Sequence, residues 1–108
     1  MKGSLVEFYT THDRQYQGHA LSAWLIEEAR RFGVPGATLS VAGSGFGQGR
    51  HLHSAHFFEL ADEPVCVRII AEESLATRFM QHLEQLGLAL FFVRMPVQFG
   101  KLGDAGHA

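Results

Sequence analysis

Apolar and polar positions along this chain repeat with two different periods, and the places where the period changes delimit the elements. Leu5–Thr10 is rich in β-branched and aromatic residues and predicts a first strand, closed by the polar stretch Thr11–Gly18. From Ala20 to Phe32 the residues Leu21, Trp24, Leu25, Ala29 and Phe32 recur at spacings of three and four, which gives a helix one apolar stripe. Arg30 and Arg31 stand in its last turn, where positive charge favours the helix dipole, Glu27 and Arg31 are spaced as a pair four apart, and Gly33 supplies the stop. After the turn Gly33–Gly36, Ala37–Val41 alternates as a half-buried strand does. Beyond a glycine-rich segment, Leu52–Leu60 reads as a strand arm, Ala61–Pro64 as a turn and Val65–Ala71 as another strand. A second helix begins near Glu72–Ser74, carries Leu75, Phe79, Leu83 and Leu86 inward and ends at Gly87; Leu88–Met95 reads as the last strand.

The order strand, helix, strand, strand, helix, strand most simply folds as two split crossover units on one antiparallel sheet with both helices on one face. The expected class is therefore α+β, a ferredoxin-like βαββαβ domain over residues 1–99 with an extended hairpin between its second and third core strands, followed by a flexible tail over residues 100–108. Both parities of the strands are apolar in places: the parity away from the helices includes Cys66 and Ile70, and in the last strand Leu88, Leu90 and Phe92 stand opposite Ala89, Phe91 and Val93. One helical layer covers one face, so the second face is expected to be buried against other subunits.

Composition narrows the partners. With 108 residues, 46% of them hydrophobic, and a formal net charge of −2, the chain has enough apolar content for one core and lacks the basic balance of a nucleic-acid binder. The first residues have neither the basic start nor the apolar run of a secretory signal, and no apolar run approaches the ~20 residues of a membrane span, so a soluble cytoplasmic chain with no membrane insertion is expected. The lone Cys66, inside Val65-Cys66-Val67, reads as a small buried thiol.

The segment that points to a site is Gly43-Ser44-Gly45-Phe46-Gly47-Gln48-Gly49, with a glycine at every second position. On an extended backbone alternate residues share a face, so one side of this ribbon is bare and open to close approach by a ligand. A strand arm follows it rather than a helix, and no lysine and hydroxyl pair closes it, which sets aside dinucleotide-binding and P-loop chemistry. Gly43, Gly45, Phe46, Gly47 and Gly49, with Arg50 and His53, form the expected effector-binding set, Arg50 supplying a planar fork for an anion. His51, His53 and His56 are weak metal candidates: His51 and His53 share a face, His56 points the other way, and no cysteine or carboxylate joins them at matching spacing. A ring of one histidine repeated around a threefold axis is the arrangement that would favour metal. His12, His19, His82 and His107 read as surface histidines, Glu72 and Glu73 as partners of a helix dipole, and no residue set supplies a nucleophile with its base, so an enzyme is not expected.

Several of these residues also resemble a known superfamily. Tyr16-Gln17-Gly18 leading into the first helix, Gly36-Ala37-Thr38 after it, Gly45-Phe46-Gly47 before a long excursion, His53-Ser54-Ala55 and Pro64-Val65 are similar, in order and spacing, to the PII-like signalling proteins, and within them to the family of domain of unknown function 190. The resemblance implies a ferredoxin-like protomer assembling as a homotrimer, the excursion corresponding to a T-loop, with small-molecule effectors bound between subunits and a partner protein, such as a membrane transporter, regulated in response. An adenine nucleotide or another small anion is the implied kind of effector. One departure is plain: PII proteins carry a Gly- and Lys-rich phosphate-gripping loop after the second helix, and here that position reads Gln85-Leu86-Gly87-Leu88-Ala89-Leu90, without lysine. A nucleotide's charge would have to be met by Arg50, another arginine or backbone amides of the glycine segment. The alternative implied by the same architecture is a CutA-like divalent-metal-binding trimer using the loop histidines.

Overall fold

The computed structural model describes residues 1–41, 44–46, 52–54 and 64–103. Its strands and helices follow one another as β1 (Lys2–Thr11), β2 (Gln15–Tyr16), β3 (His19–Ala20), α1 (Leu21–Arg31), β4 (Gly36–Val41), β5 (Ser44–Phe46), β6 (Leu52–Ser54), β7 (Pro64–Glu72), α2 (Glu73–Gln85) and β8 (Phe91–Gln98). Four of the strands form one antiparallel sheet in the order β4-β7-β1-β8, with β1 and β7 central. Both helices pack on one face, α1 on β4 and β7, α2 on β1 and β7. This is the ferredoxin-like α+β architecture that the order of periods implies.

Strand parity decides which side chains make the core. Val6 lies opposite Ile69 and Phe8 opposite Val67, and these four meet Leu21, Leu25 and Ala29 of α1 and Phe79 and Leu83 of α2. All nine are buried. Both helices stop by the same device. The Gly33 N–H bonds to the Arg30 carbonyl and the Val34 N–H to the Ala29 carbonyl; Gly87 and Leu88 repeat the pattern on Glu84 and Leu83. Gly33 at φ +88° and Gly87 at φ +76° occupy the left-handed region that this ending requires, and Val34 and Leu88 then pack on the core.

Four expectations are corrected. The last strand is Phe91–Gln98, three residues later than the apolar run suggests, because Leu88 and Leu90 cover the core from the connection rather than from the sheet. In α2 the buried positions are Ala76, Phe79 and Leu83, with Leu75 partly exposed and Leu86 exposed. In α1, Glu27 pairs with Arg30 and Glu28 with Arg31, both three residues apart, in place of Glu27 with Arg31. The polar stretch before α1 contains a hairpin, β2–β3, turned at Gln17 (φ 52°) and Gly18 (φ 81°), the two successive positive φ values of a type I′ turn. That hairpin is tied down by the Tyr16 ring, edge-on to Trp24 at 4.6 Å, and by the Arg14 carbonyl, which accepts the N–H of Leu21 at the start of α1. Of the tail expected at 100–108, residues 104–108 lie outside the described residues.

Candidate functional site

The topology gathers one end of the sheet into a candidate site. Strand β4 ends and β7 begins there, bracketing the glycine-rich excursion, and α2 also ends there and returns to β8 through residues 86–90. The described base of the excursion is a short antiparallel ladder in which Gly45 lies opposite His53, Ser44 opposite Ser54 and Phe46 opposite Leu52. Two of the expected effector residues, Gly45 and His53, are therefore brought together on facing strands, and Phe46 adjoins them. Gly43, Gly47, Gly49 and Arg50 lie outside the described residues, as do the metal candidates His51 and His56. Among the described residues no group of three His, Cys, Asp or Glu side chains could hold a metal ion.

Beside α2 and its return to β8 opens a cleft of about 560 Å³, within the usual range for small-molecule sites of roughly 300–1,000 Å³. Its walls are mostly apolar, including Met80, Leu88, Leu90 and the half-exposed Phe92, and Thr77 and Arg94 add polar groups. Arg94 is held in place from several sides. Its Nε donates to Ser4 Oγ at 2.9 Å, and its Nη2 donates to Thr77 Oγ1 at 2.9 Å and to the carboxylate of Glu73, which also accepts from Ser4 Oγ. Glu73 thus does more than favour the helix dipole. Parity is the signal that marks Arg94 in the sequence: it shares the helix-facing side with Phe92, where a charged residue is uncommon.

The opposite face of the sheet holds a second polar cluster. Arg68 stands directly across from Glu7, donating to Glu7 Oε2 through Nε at 2.8 Å and lying within 2.7 Å of it through Nη2, while the Tyr9 hydroxyl donates to Glu7 Oε1 at 2.9 Å. Hydrogen bonds from Arg68 and then Tyr9 hold the Glu7 carboxyl below the usual carboxylate value, against the opposing effect of burial. The acceptor Glu7 pushes the Tyr9 hydroxyl up to about 12. Burial raises the thiol of the neighbouring Cys66, which is 7% exposed, in keeping with a small buried cysteine.

A depressed acid stabilises the fold above its unfolded-state value, and the contribution is lost as pH falls through the lower folded-state value. Urea denaturation of the wild-type and Glu7→Gln proteins from pH 7 down to pH 3 should therefore give two stability curves that converge as the pH drops below about 4.5. Curves that stay parallel would remove Glu7 from the acid limb. For Tyr9, raised in the folded state, the linked stability is fully present below its unfolded value near 10 and is lost as pH rises through about 12.

His82 is not the surface histidine expected. Its Nε2 lies 2.6 Å from Glu28 Oε2, a carboxylate buried on α1 that also accepts from Arg31, and its ring packs 4.9 Å from that of Phe32. Position 82 is three residues after the buried Phe79, which turns it toward α1.

The sequence pattern of the family DUF190, described as "Uncharacterized ACR", matches residues 3–98. The chain belongs to the DUF190 family. This DUF190 protein is 31% identical over 85 residues to the UPF0166 protein of Aquifex aeolicus (strain VF5), covering 78% of this chain and 81% of the relative. Among solved structures, its fold is similar to that of CPII, a nitrogen regulatory PII-like protein from Thiomonas intermedia K12 bound to ADP, AMP and bicarbonate. The TM-score is 0.68 at 16% identity, over 94% of this chain and 91% of CPII. It is also similar to a protein of Thermus thermophilus described as PII-like, with a TM-score of 0.64 at 19% identity over 89% and 87% of the two chains. The DUF190 protein thus has the PII-like fold. Among its described residues no helix is long and apolar enough to cross a membrane.

Proposed function

We propose that this DUF190 protein is a cytoplasmic regulatory module: a homotrimer that binds a small anionic effector, an adenine nucleotide first among the candidates, at clefts between subunits, and reports its occupancy to a partner protein. The observation that supports this best is the placement of the excursion's base, Gly45 opposite His53, at the same end of a PII-like sheet as the return from α2 to β8. An effector held at that end, with Gly43, Gly45, Phe46, Gly47, Gly49, Arg50 and His53 as its contacts, would act on the conformation of the excursion by binding one arrangement better than another. Phosphate charge is met by Arg50 and by backbone amides, because the connection after α2 has no lysine. A protein of similar fold, CPII, is bound to ADP, AMP and bicarbonate. By analogy with PII-like proteins the partner is a membrane transport protein. The role is one of binding, not catalysis.

A thermal-shift panel of ATP, ADP, AMP, cyclic AMP and bicarbonate tests the reading. A ligand selective for the native state adds about 2.7 kcal/mol at a hundredfold excess over its Kd. For a domain of this size that raises Tm by roughly 10 °C or more. At least one adenine nucleotide is expected to do so, with the shift reduced in Arg50→Ala. No shift with any member of the panel overturns the proposal.

A further inference from the structure

Helix α1 lies over β4 and β7 and α2 over β7 and β1, so the helix-facing side of the edge strand β8 falls at the margin of the helical layer. Phe8 and Phe92 show the result. They stand directly opposite one another on neighbouring strands and share that side, yet Phe8 is 2% exposed and Phe92 47%. The space left beside α2 is the cleft of about 560 Å³, walled by Met80 of α2, by Leu88 and Leu90 of the return and by Phe92, with Thr77 and Arg94 at one end. Its described walls come from β1, α2, the return and β8, none of which carries a residue assigned to the effector.

We propose that this cleft is a second ligand site, and that its ligand is a small amphipathic carboxylate whose hydrocarbon body lies against Leu88, Leu90 and Phe92 and whose head rests on Arg94 and Thr77. The inference goes beyond the effector reading and does not depend on it. Three features carry it. First, the cleft is flanked by α2 from Thr77 to Glu84, roughly 10 Å of helix, which suits the body of a medium-chain acid, and covering Phe92 removes apolar surface that the protomer leaves wet. Second, the arginine has an edge to spare. Its Nε and Nη2 are engaged by Ser4, Thr77 and Glu73, so of its five N–H groups the two on Nη1 have no partner among the described residues. Arg94 and Thr77 line the cleft whereas Ser4 and Glu73 do not, which sets the cleft along that remaining edge. The Thr77 hydroxyl accepts from Nη2, and its own hydrogen is left for an acceptor in the cleft. The bonds to Ser4 and Glu73 hold the guanidinium still, so a ligand loses little in ordering it. Third, the signs favour an anion at the sheltered end. The Glu73 side chain is 61% accessible, its charge met largely by water, while Arg94 is 25% accessible. The other charged residue among the described walls, Glu84, is exposed at the far end of the α2 flank. A carboxylate on Arg94 gains charge-assisted hydrogen bonds; an ammonium there meets like charge.

The test compares octanoate, octanol and octylamine, which share one hydrocarbon body and differ in the charge of the head, and acetate, which has the head alone. Calorimetric titration of the full chain at neutral pH should give octanoate a Kd on the order of 100 µM, octanol and octylamine at least about tenfold weaker binding, and acetate none that is measurable. Amide NMR of the octanoate complex should show its largest shifts at Thr77, Leu88–Leu90, Phe92 and Arg94. Arg94→Met keeps an apolar stem and removes the head; octanoate should fall to the level of octanol while octanol itself binds as before, a split that a general loss of structure would not produce. Phe92→Ala should weaken octanoate and octanol alike, by about tenfold. If circular dichroism finds Arg94→Met unfolded, the ranking of the three heads on the wild type and the Phe92→Ala variant carry the test. Equal affinity for the three heads, a preference for octylamine, no binding of octanoate, or shifts confined to the opposite sheet face at Leu5, Ile70 and Met95 overturns the proposal.

Discussion

Phe79→Ala should remove about 4 kcal/mol of stability, as expected when a large aromatic is deleted from a packed core. Phe79 is fully buried between the layers, with the ring of Phe8 edge-on at 6.2 Å from the sheet side and that of Phe32 edge-on at 5.4 Å from the end of α1. The substitution therefore removes transfer free energy, leaves a cavity where sheet and both helices converge, and deletes two aromatic contacts worth roughly 1 kcal/mol each. Domains of this size have a total stability of roughly 5–15 kcal/mol, so the variant should sit near the edge of folding. Urea denaturation at fixed protein concentration measures it. Phe79→Leu, which keeps most of the volume, should cost less than half as much. A loss below about 1.5 kcal/mol for the alanine variant would show that the three elements do not depend on this ring.

Gly3→Ala should cost roughly 3 kcal/mol, near the upper range for overpacking, although it adds a single methyl group. A Cβ at Gly3 would lie 2.1 Å from the Ala71 carbonyl oxygen and 2.7 Å from the Phe99 ring. The ring can swing aside. The carbonyl belongs to the ladder between β1 and β7, the two central strands, and cannot move without displacing that ladder. Two controls separate these terms. Gly36→Ala, at a position where a Cβ would meet nothing within 4 Å, should change stability by less than about 0.5 kcal/mol. Adding Phe99→Ala to Gly3→Ala should not rescue the loss; full rescue would place the crowding on the ring alone.

What was legible in the chain follows the range of the interactions involved. Both helix ends could be placed at Gly33 and Gly87 because that ending is local: one left-handed residue and an apolar neighbour two positions past the last turn. The sheet's two faces were readable from alternation, and Phe91 and Val93 do lie on the side opposite Phe92. The start of the last strand was not, because Leu88 and Leu90 are needed by the core whether they reach it from a strand or from a connection. The two-residue strands of the β2–β3 hairpin are too short to show a period at all. At the candidate site the glycine alternation points to the excursion, and the pairing of Gly45 with His53 adds the register of its base. Clusters built across the sheet could not be anticipated: Glu7 and Arg68 are 61 positions apart, Ser4 and Arg94 90.

The edge strand β8 carries one more consequence. Met1 and Phe99 exchange both of their backbone hydrogen bonds, and pairs alternate along an antiparallel ladder, so Ser4 and Pro96 form a pair that does not bond and the Pro96 nitrogen looks out from the free margin of the sheet. A foreign strand laid along that margin would find no donor at Pro96 and, two residues earlier, a guanidinium folded inward under the sheet. Sideways growth into a ribbon through this margin is thereby disfavoured.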